Sequence, residues 1–145
     1  MEEKQKFLKN VYDDTSGWLK FVEAKLTAFL TFETGLFYFV AKLVTISNNK
    51  LCLLVTGIGI FLAILLIIIA LLPQYNEDNT NPLYFMTWTS GQYRLAENYD
   101  FLNSEDYESQ IRDLSKTVKR KMVFLKYSII LYTISILLFS IVAFL

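Results

Sequence analysis

Histidine is absent from the 145-residue chain, and cysteine occurs once, at Cys52. Without histidine there is no imidazole base, no Ser-His-Asp triad and no Cys/His zinc site. A single cysteine builds no disulfide scaffold, and Cys52 lies in an apolar run, where a thiol acts as a small hydrophobe. Glycine is sparse, five residues in all, and no Gly-rich loop is present to cradle a phosphate. The carboxylates Asp100, Glu105, Asp106 and Glu108 look like charges at a helix start, with no accompanying base or metal set. No catalytic residue, metal site or cofactor is therefore expected, and the chain does not read as an enzyme. Net charge gives no lead either, because 14 Lys and Arg balance 14 Asp and Glu.

Hydrophobicity is what the chain has: 54% of its residues, gathered in blocks. Residues 51–72 read LCLLVTGIGIFLAILLIIIALL, without a charge. Residues 127–145 read YSIILYTISILLFSIVAFL, also uncharged. A hydrocarbon core of roughly 30 Å needs about 20 helical residues, and a chain this short cannot surround two such helices in water. Pro73 suits a helix exit, and Lys126 can snorkel to the interface. The opening Met1-Glu2-Glu3-Lys4 has no early apolar core, so no cleavable signal peptide is expected.

Residues 26–46 form a third apolar run, interrupted by Glu33 and Lys42. The alternative is an amphipathic helix on the membrane or in solvent. With two spans, residues 1–50 and the loop 73–126 carry seven bases each on opposite sides, so charge gives no orientation. With three spans, the N-terminal arm and that loop share one side and hold twelve bases, against Lys42 and Lys50 on the other. That asymmetry fits a cytoplasmic arm and loop, and Ser47-Asn48-Asn49-Lys50 suits a turn between antiparallel helices. The expected architecture is an all-α membrane protein, a small oligomeric helical bundle. Its parts are an amphipathic cytoplasmic helix (1–25), a transmembrane hairpin (26–72), a cytoplasmic loop and basic helix (73–122) and a C-terminal span (123–145).

Local patterns add candidates. Leu8, Val11, Tyr12, Thr15, Trp18, Leu19, Val22, Leu26 and Phe29 recur at helical spacing as one stripe. Asp13-Asp14-Thr15-Ser16-Gly17 is a place where that helix can break or be re-capped. The stripe packs on other helices or, alternatively, lies on the membrane surface with Trp18 at the interface. Leu83-Tyr84-Phe85-Met86-Thr87-Trp88 is an aromatic cluster suited to a small core, the headgroups or base stacking. Asn103-Ser104-Glu105-Asp106 is a helix start, from which Ile111, Leu114, Val118, Met122 and Leu125 continue a stripe suited to self-association. Lys116, Lys119, Arg120 and Lys121 form a juxtamembrane basic cluster for anionic lipid or, more sharply, for a nucleotide phosphate. Lys4, Lys6 and Lys9, repeated by symmetry, are a second phosphate-binding candidate. Pore candidates are Glu33, Thr27 and Thr31 (with Thr34), and Ser128 and Ser135 (with Tyr132). Gly59-x-x-x-Ala63 offers a small-residue helix contact.

Three stretches, in order, resemble the transmembrane effectors of bacterial Pycsar antiphage systems. Trp18, Phe21 and Lys25 match the family's Trp-x-x-Phe-Ala-Asp-x-Lys entry to an apolar helix, with Val22 and Glu23 in place of Ala and Asp. Asn81-Pro82-Leu83-Tyr84-Phe85 resembles a family aromatic segment, although Met86-Thr87-Trp88 departs from its usual Gly-His-Ile. Gln110-Ile111-Arg112-Asp113-Leu114-Ser115-Lys116, followed by Lys119-Arg120-Lys121, matches the approach to the last span. The resemblance covers most of the chain from Trp18 on and implies a third span after the first motif. It also implies a defence effector that impairs the membrane when a partner cyclase makes a cyclic pyrimidine nucleotide. Hailong-type membrane effectors are similar: small oligomeric channels held shut by a DNA oligomer that a partner nucleotidyltransferase makes. The expected partners are thus further copies of the chain, membrane lipid, a nucleotide or short DNA oligomer, and its synthesising enzyme. The expected location is the bacterial inner membrane. A holin-like toxin and a non-conducting membrane scaffold are the alternatives.

Overall fold

The computed structural model describes residues 2–46, 50–73, 83 and 104–144. The aromatic cluster at 84–88, the Asn81-Pro82 motif and the turn residues 47–49 lie outside the described residues. Three α-helices make up the regular structure there: α1 (Glu2–Ile46), α2 (Lys50–Leu71) and α3 (Ser104–Phe144). The α3 start is the expected one, with Glu105 and Asp106 in the first turn facing the positive end of the helix dipole. All three helices are long and apolar enough to cross a membrane, the first included.

One expectation for α1 is corrected. The helix does not break at Asp13–Gly17 but runs unbroken for 45 residues. Thr15 Oγ1 donates back to the Val11 carbonyl at 2.7 Å instead of capping a new helix forward. An interior glycine costs about 1 kcal/mol relative to alanine, too little to outweigh the packing of Leu8, Val22 and Leu26 on the same helix.

The residues group into two compact units, Met1–Phe21 with Pro73–Lys119 and Val22–Leu72 with Arg120–Leu145. In the first, Leu8 and Gln110 are buried, the rings of Tyr12 and Tyr107 meet edge to face at 6.0 Å, and Lys4 pairs with Glu108 at 3.1 Å.

The second unit is a three-helix bundle. Contacts between α1 and α3 ascend together, from Glu23 and Lys121 through Glu33 and Ser128 to Phe39 and Phe139. Those two helices are therefore parallel. Helix α2 descends, setting Ala63 against Ser128, Gly59 against Ser135 and Gly57 against Val40. An up-down-up path follows, in which the chain leaves α2 at the end where α1 enters. Buried positions recur at steps of three, four or seven: Val22, Leu26, Glu33 and Val40 on α1, Leu53, Thr56, Ile60, Ala63, Ile67 and Ala70 on α2 (with Ile64 beside Ala63), and Lys121, Leu125, Ser128, Tyr132 and Ser135 on α3. Such spacing is that of a helix-packing seam. The opposite faces expose Leu54, Val55, Ile58, Phe61 and Leu62, among others. Apolar surface on that scale is stable against lipid, not against water.

Two stripe assignments shift. Met122 is exposed, and the α3 seam runs through Lys121 in its place. Trp18 stands at the edge of the α1 stripe, 57% exposed, against the edge of Phe21.

Candidate functional site: a polar node inside the three-helix unit

Glu33 sits in the middle of the α1 seam, seven residues from both Leu26 and Val40, and is fully buried. Ser128 Oγ, on α3, stands 2.9 Å from Glu33 Oε1. The same oxygen stands 3.2 Å from the Ala63 carbonyl oxygen of α2. One hydroxyl thus joins all three helices. Glu33 Oε2 has no hydrogen-bond partner among the described residues, and neither has the buried Tyr132 hydroxyl. Val40, Ile60, Ala63, Ile64 and Tyr132 form the apolar core cluster of the same unit. Close approach of α2 and α3 depends on Gly59, because a Cβ there would fall on the Ser135 hydroxyl.

The five pore candidates divide into two sets. Glu33, Ser128 and Ser135 are buried within one copy of the chain. Thr27 and Thr31 are exposed on the opposite face of α1, with Thr34 in line. Their hydroxyls donate to the carbonyls of Glu23, Thr27 and Leu30, each four residues back, so the stripe is polar without losing helix bonds. Ser135 is satisfied in the same way by the Leu131 carbonyl at 2.9 Å.

The basic candidates divide as well. Lys4 and Lys116 are engaged by carboxylates, Glu108 at 3.1 Å and Asp113 at 3.4 Å. Arg120 lies over the Phe124 ring at 5.5 Å. Lys6, Lys9 and Lys119 are exposed. Lys25, of the first family-like motif, is also exposed.

Sequence reasoning missed the role of Lys121, grouping it with the lipid-facing cluster. Its ammonium is buried and paired with Glu23. The signal was there: counting back by three and then four from Ser128 gives Leu125 and Lys121, the same face.

In the other unit, the Tyr107 phenol holds its proton more tightly than usual. Burial is the main cause, and the nearby Asp13 carboxylate and Tyr12 add to it. Gln110, also buried there, leaves Nε2 without a partner among the described residues.

These features define a small all-α polytopic membrane protein with a polar centre inside an apolar bundle. The family model for the Pycsar effector protein domain matches residues 7–145. The chain belongs to that family and is a membrane effector of antiphage defence. No curated protein and no solved structure matches it.

Proposed function

We propose that the chain works as an oligomeric, nucleotide-gated pore of the bacterial inner membrane, with the N-terminal arm and the 73–126 loop cytoplasmic. The observation that carries this reading is helix continuity. Helices α1 and α3 are unbroken over 45 and 41 residues, about 68 and 62 Å at 1.5 Å per residue. Each supplies residues to both compact units. A ligand that prefers one arrangement of Glu2–Phe21 and Ser104–Lys119 therefore acts on the helices that carry Glu33 and Ser128. It can shift a pore equilibrium only through that difference in affinity.

Several copies are needed, because the interior of one copy is packed. The Thr27, Thr31 and Thr34 face, continued by Gly35, is small, polar and exposed. Facing a shared axis, it would give water a path that the Leu- and Ile-rich faces deny. Glu33 then acts as an internal tie between helices.

For the ligand, a cyclic pyrimidine mononucleotide from a partner cyclase fits best. Carboxylates already engage Lys4 and Lys116. A compact anion needs one or two bases, whereas a DNA oligomer needs a row of them. The test is dye release from anionic vesicles carrying the full-length protein. Added cyclic pyrimidine mononucleotide should trigger release. A basal leak suppressed by a short DNA oligomer would move the ligand to the Hailong class. Leak indifferent to both would indicate a holin-like toxin, and no leak under any condition a scaffold; either result overturns the proposal.

A further inference from the structure

The contacts of Ser128 are over-subscribed. Its hydroxyl carries one hydrogen, yet Oγ lies at hydrogen-bond distance from two oxygens, Glu33 Oε1 at 2.9 Å and the Ala63 carbonyl at 3.2 Å. A carboxylate and a carbonyl are both pure acceptors. A single hydrogen can be shared by both acceptors in a weaker three-centre bond; each contact is a full hydrogen bond of its own only if one of the three oxygens brings a second proton, and only the carboxyl can. We propose that Glu33 is a proton-binding site: its O–H donates to Ser128 Oγ, whose own O–H donates to the Ala63 carbonyl, and this relay ties α1, α3 and α2 together.

The surroundings agree. No ion pair among the described residues includes Glu33. On α1 the nearest charges along the chain, Lys25 and Lys42, are eight and nine residues away and exposed. On α3, Lys126 is exposed and Lys121 is paired with Glu23. Helix α2 has no charge after Lys50. Tyr132, one turn beyond Ser128, is a further titratable group on that face, and a phenol is uncharged at neutral pH. An ionised Glu33 would be a buried charge with one hydroxyl for company, an arrangement that proteins avoid. A bound proton removes the charge and gives each of the two Ser128 contacts its own hydrogen. When water reaches the node, the proton can leave, and the charge left behind would favour separated helices. The site is thus a proton-sensitive lock whether or not the protein conducts.

Infrared spectroscopy of the full-length protein in lipid at neutral pH tests this. The wild-type minus Glu33→Gln difference should contain the carbonyl stretch of a protonated carboxyl, and Ser128→Ala should move that band by removing its acceptor. Glutamine keeps the shape of the neutral acid and can donate to Ser128, so the variant should fold. If it does not, the wild-type spectrum and its shift in Ser128→Ala still decide. A wild-type spectrum with carboxylate bands alone would overturn the proposal. Dye release does not enter this measurement, so its outcome is separable from that of the pore reading.

Discussion

The Lys121 ammonium, buried on α3, is ion-paired with the Glu23 carboxylate on α1. These residues come from two family-like motifs almost a hundred positions apart, and the pair joins the parallel helices ten residues before Glu33 on α1 and seven before Ser128 on α3. Breaking a fully buried pair costs about 3–5 kcal/mol. The Glu23 side chain is 44% exposed and can rehydrate, so a smaller loss applies here. Lys121→Met should destabilise the solubilised protein by roughly 1–2 kcal/mol in reversible unfolding. Lys121→Glu should cost more, and adding Glu23→Lys should recover most of it. No recovery would show that the pair does not set the register.

Gly59 and Ser135 offer a sharper steric test. A methyl at Gly59 meets the Ser135 hydroxyl, while the Ser135 Cβ stays at 3.4 Å, about van der Waals contact. Gly59→Ala should therefore lose about 1–3 kcal/mol by overpacking. Gly59→Ala/Ser135→Ala should regain much of that loss, a coupling that a double-mutant cycle reads directly. Additive losses would contradict the close approach.

Gly35 is the contrasting case. A Cβ there meets nothing within 4 Å in one copy of the chain. If the Thr27–Thr31–Thr34 face meets other copies around a pore, Gly35→Leu should leave the monomer's thermal unfolding intact. It should still cut nucleotide-triggered dye release about tenfold or more, the effect of ~1.4 kcal/mol on an equilibrium. Unchanged release would remove this face from the pore.

Tyr107 predicts an alkaline signature. Its folded phenol keeps a proton that the unfolded chain gives up near the ordinary tyrosine range. This contribution to stability is therefore unaffected below that range and falls as pH rises through it. Tyrosinate absorbance should show a late-titrating group that Tyr107→Phe removes. Asp13→Asn should bring it only part of the way back, because burial is the larger cause. A single early phase in the wild type would contradict the buried environment.

Much of the membrane architecture was written in the chain itself. Runs of about 20 apolar residues are long enough to cross a hydrocarbon core, and the third run, 26–46, belongs to a helix that is also long and apolar enough to cross. Ser128, Tyr132 and Ser135 could be placed on one face from their spacing alone. The family-like motifs were legible too, because they are local.

Tertiary structure alone decided which polar groups meet. Periodicity assigns a residue to a face but does not say whether that face looks at another helix, at lipid or at water. Glu33 and Thr31 are two residues apart, yet one is buried and the other exposed, because a 100° turn per residue puts them on different sides of α1. Sequence places Lys121 in a juxtamembrane basic cluster, and only the fold sets Glu23 beside it. The continuous α1 was likewise hidden: local signals at Asp13–Gly17 favour a break by about 1 kcal/mol, and contacts distant in sequence outweigh that preference.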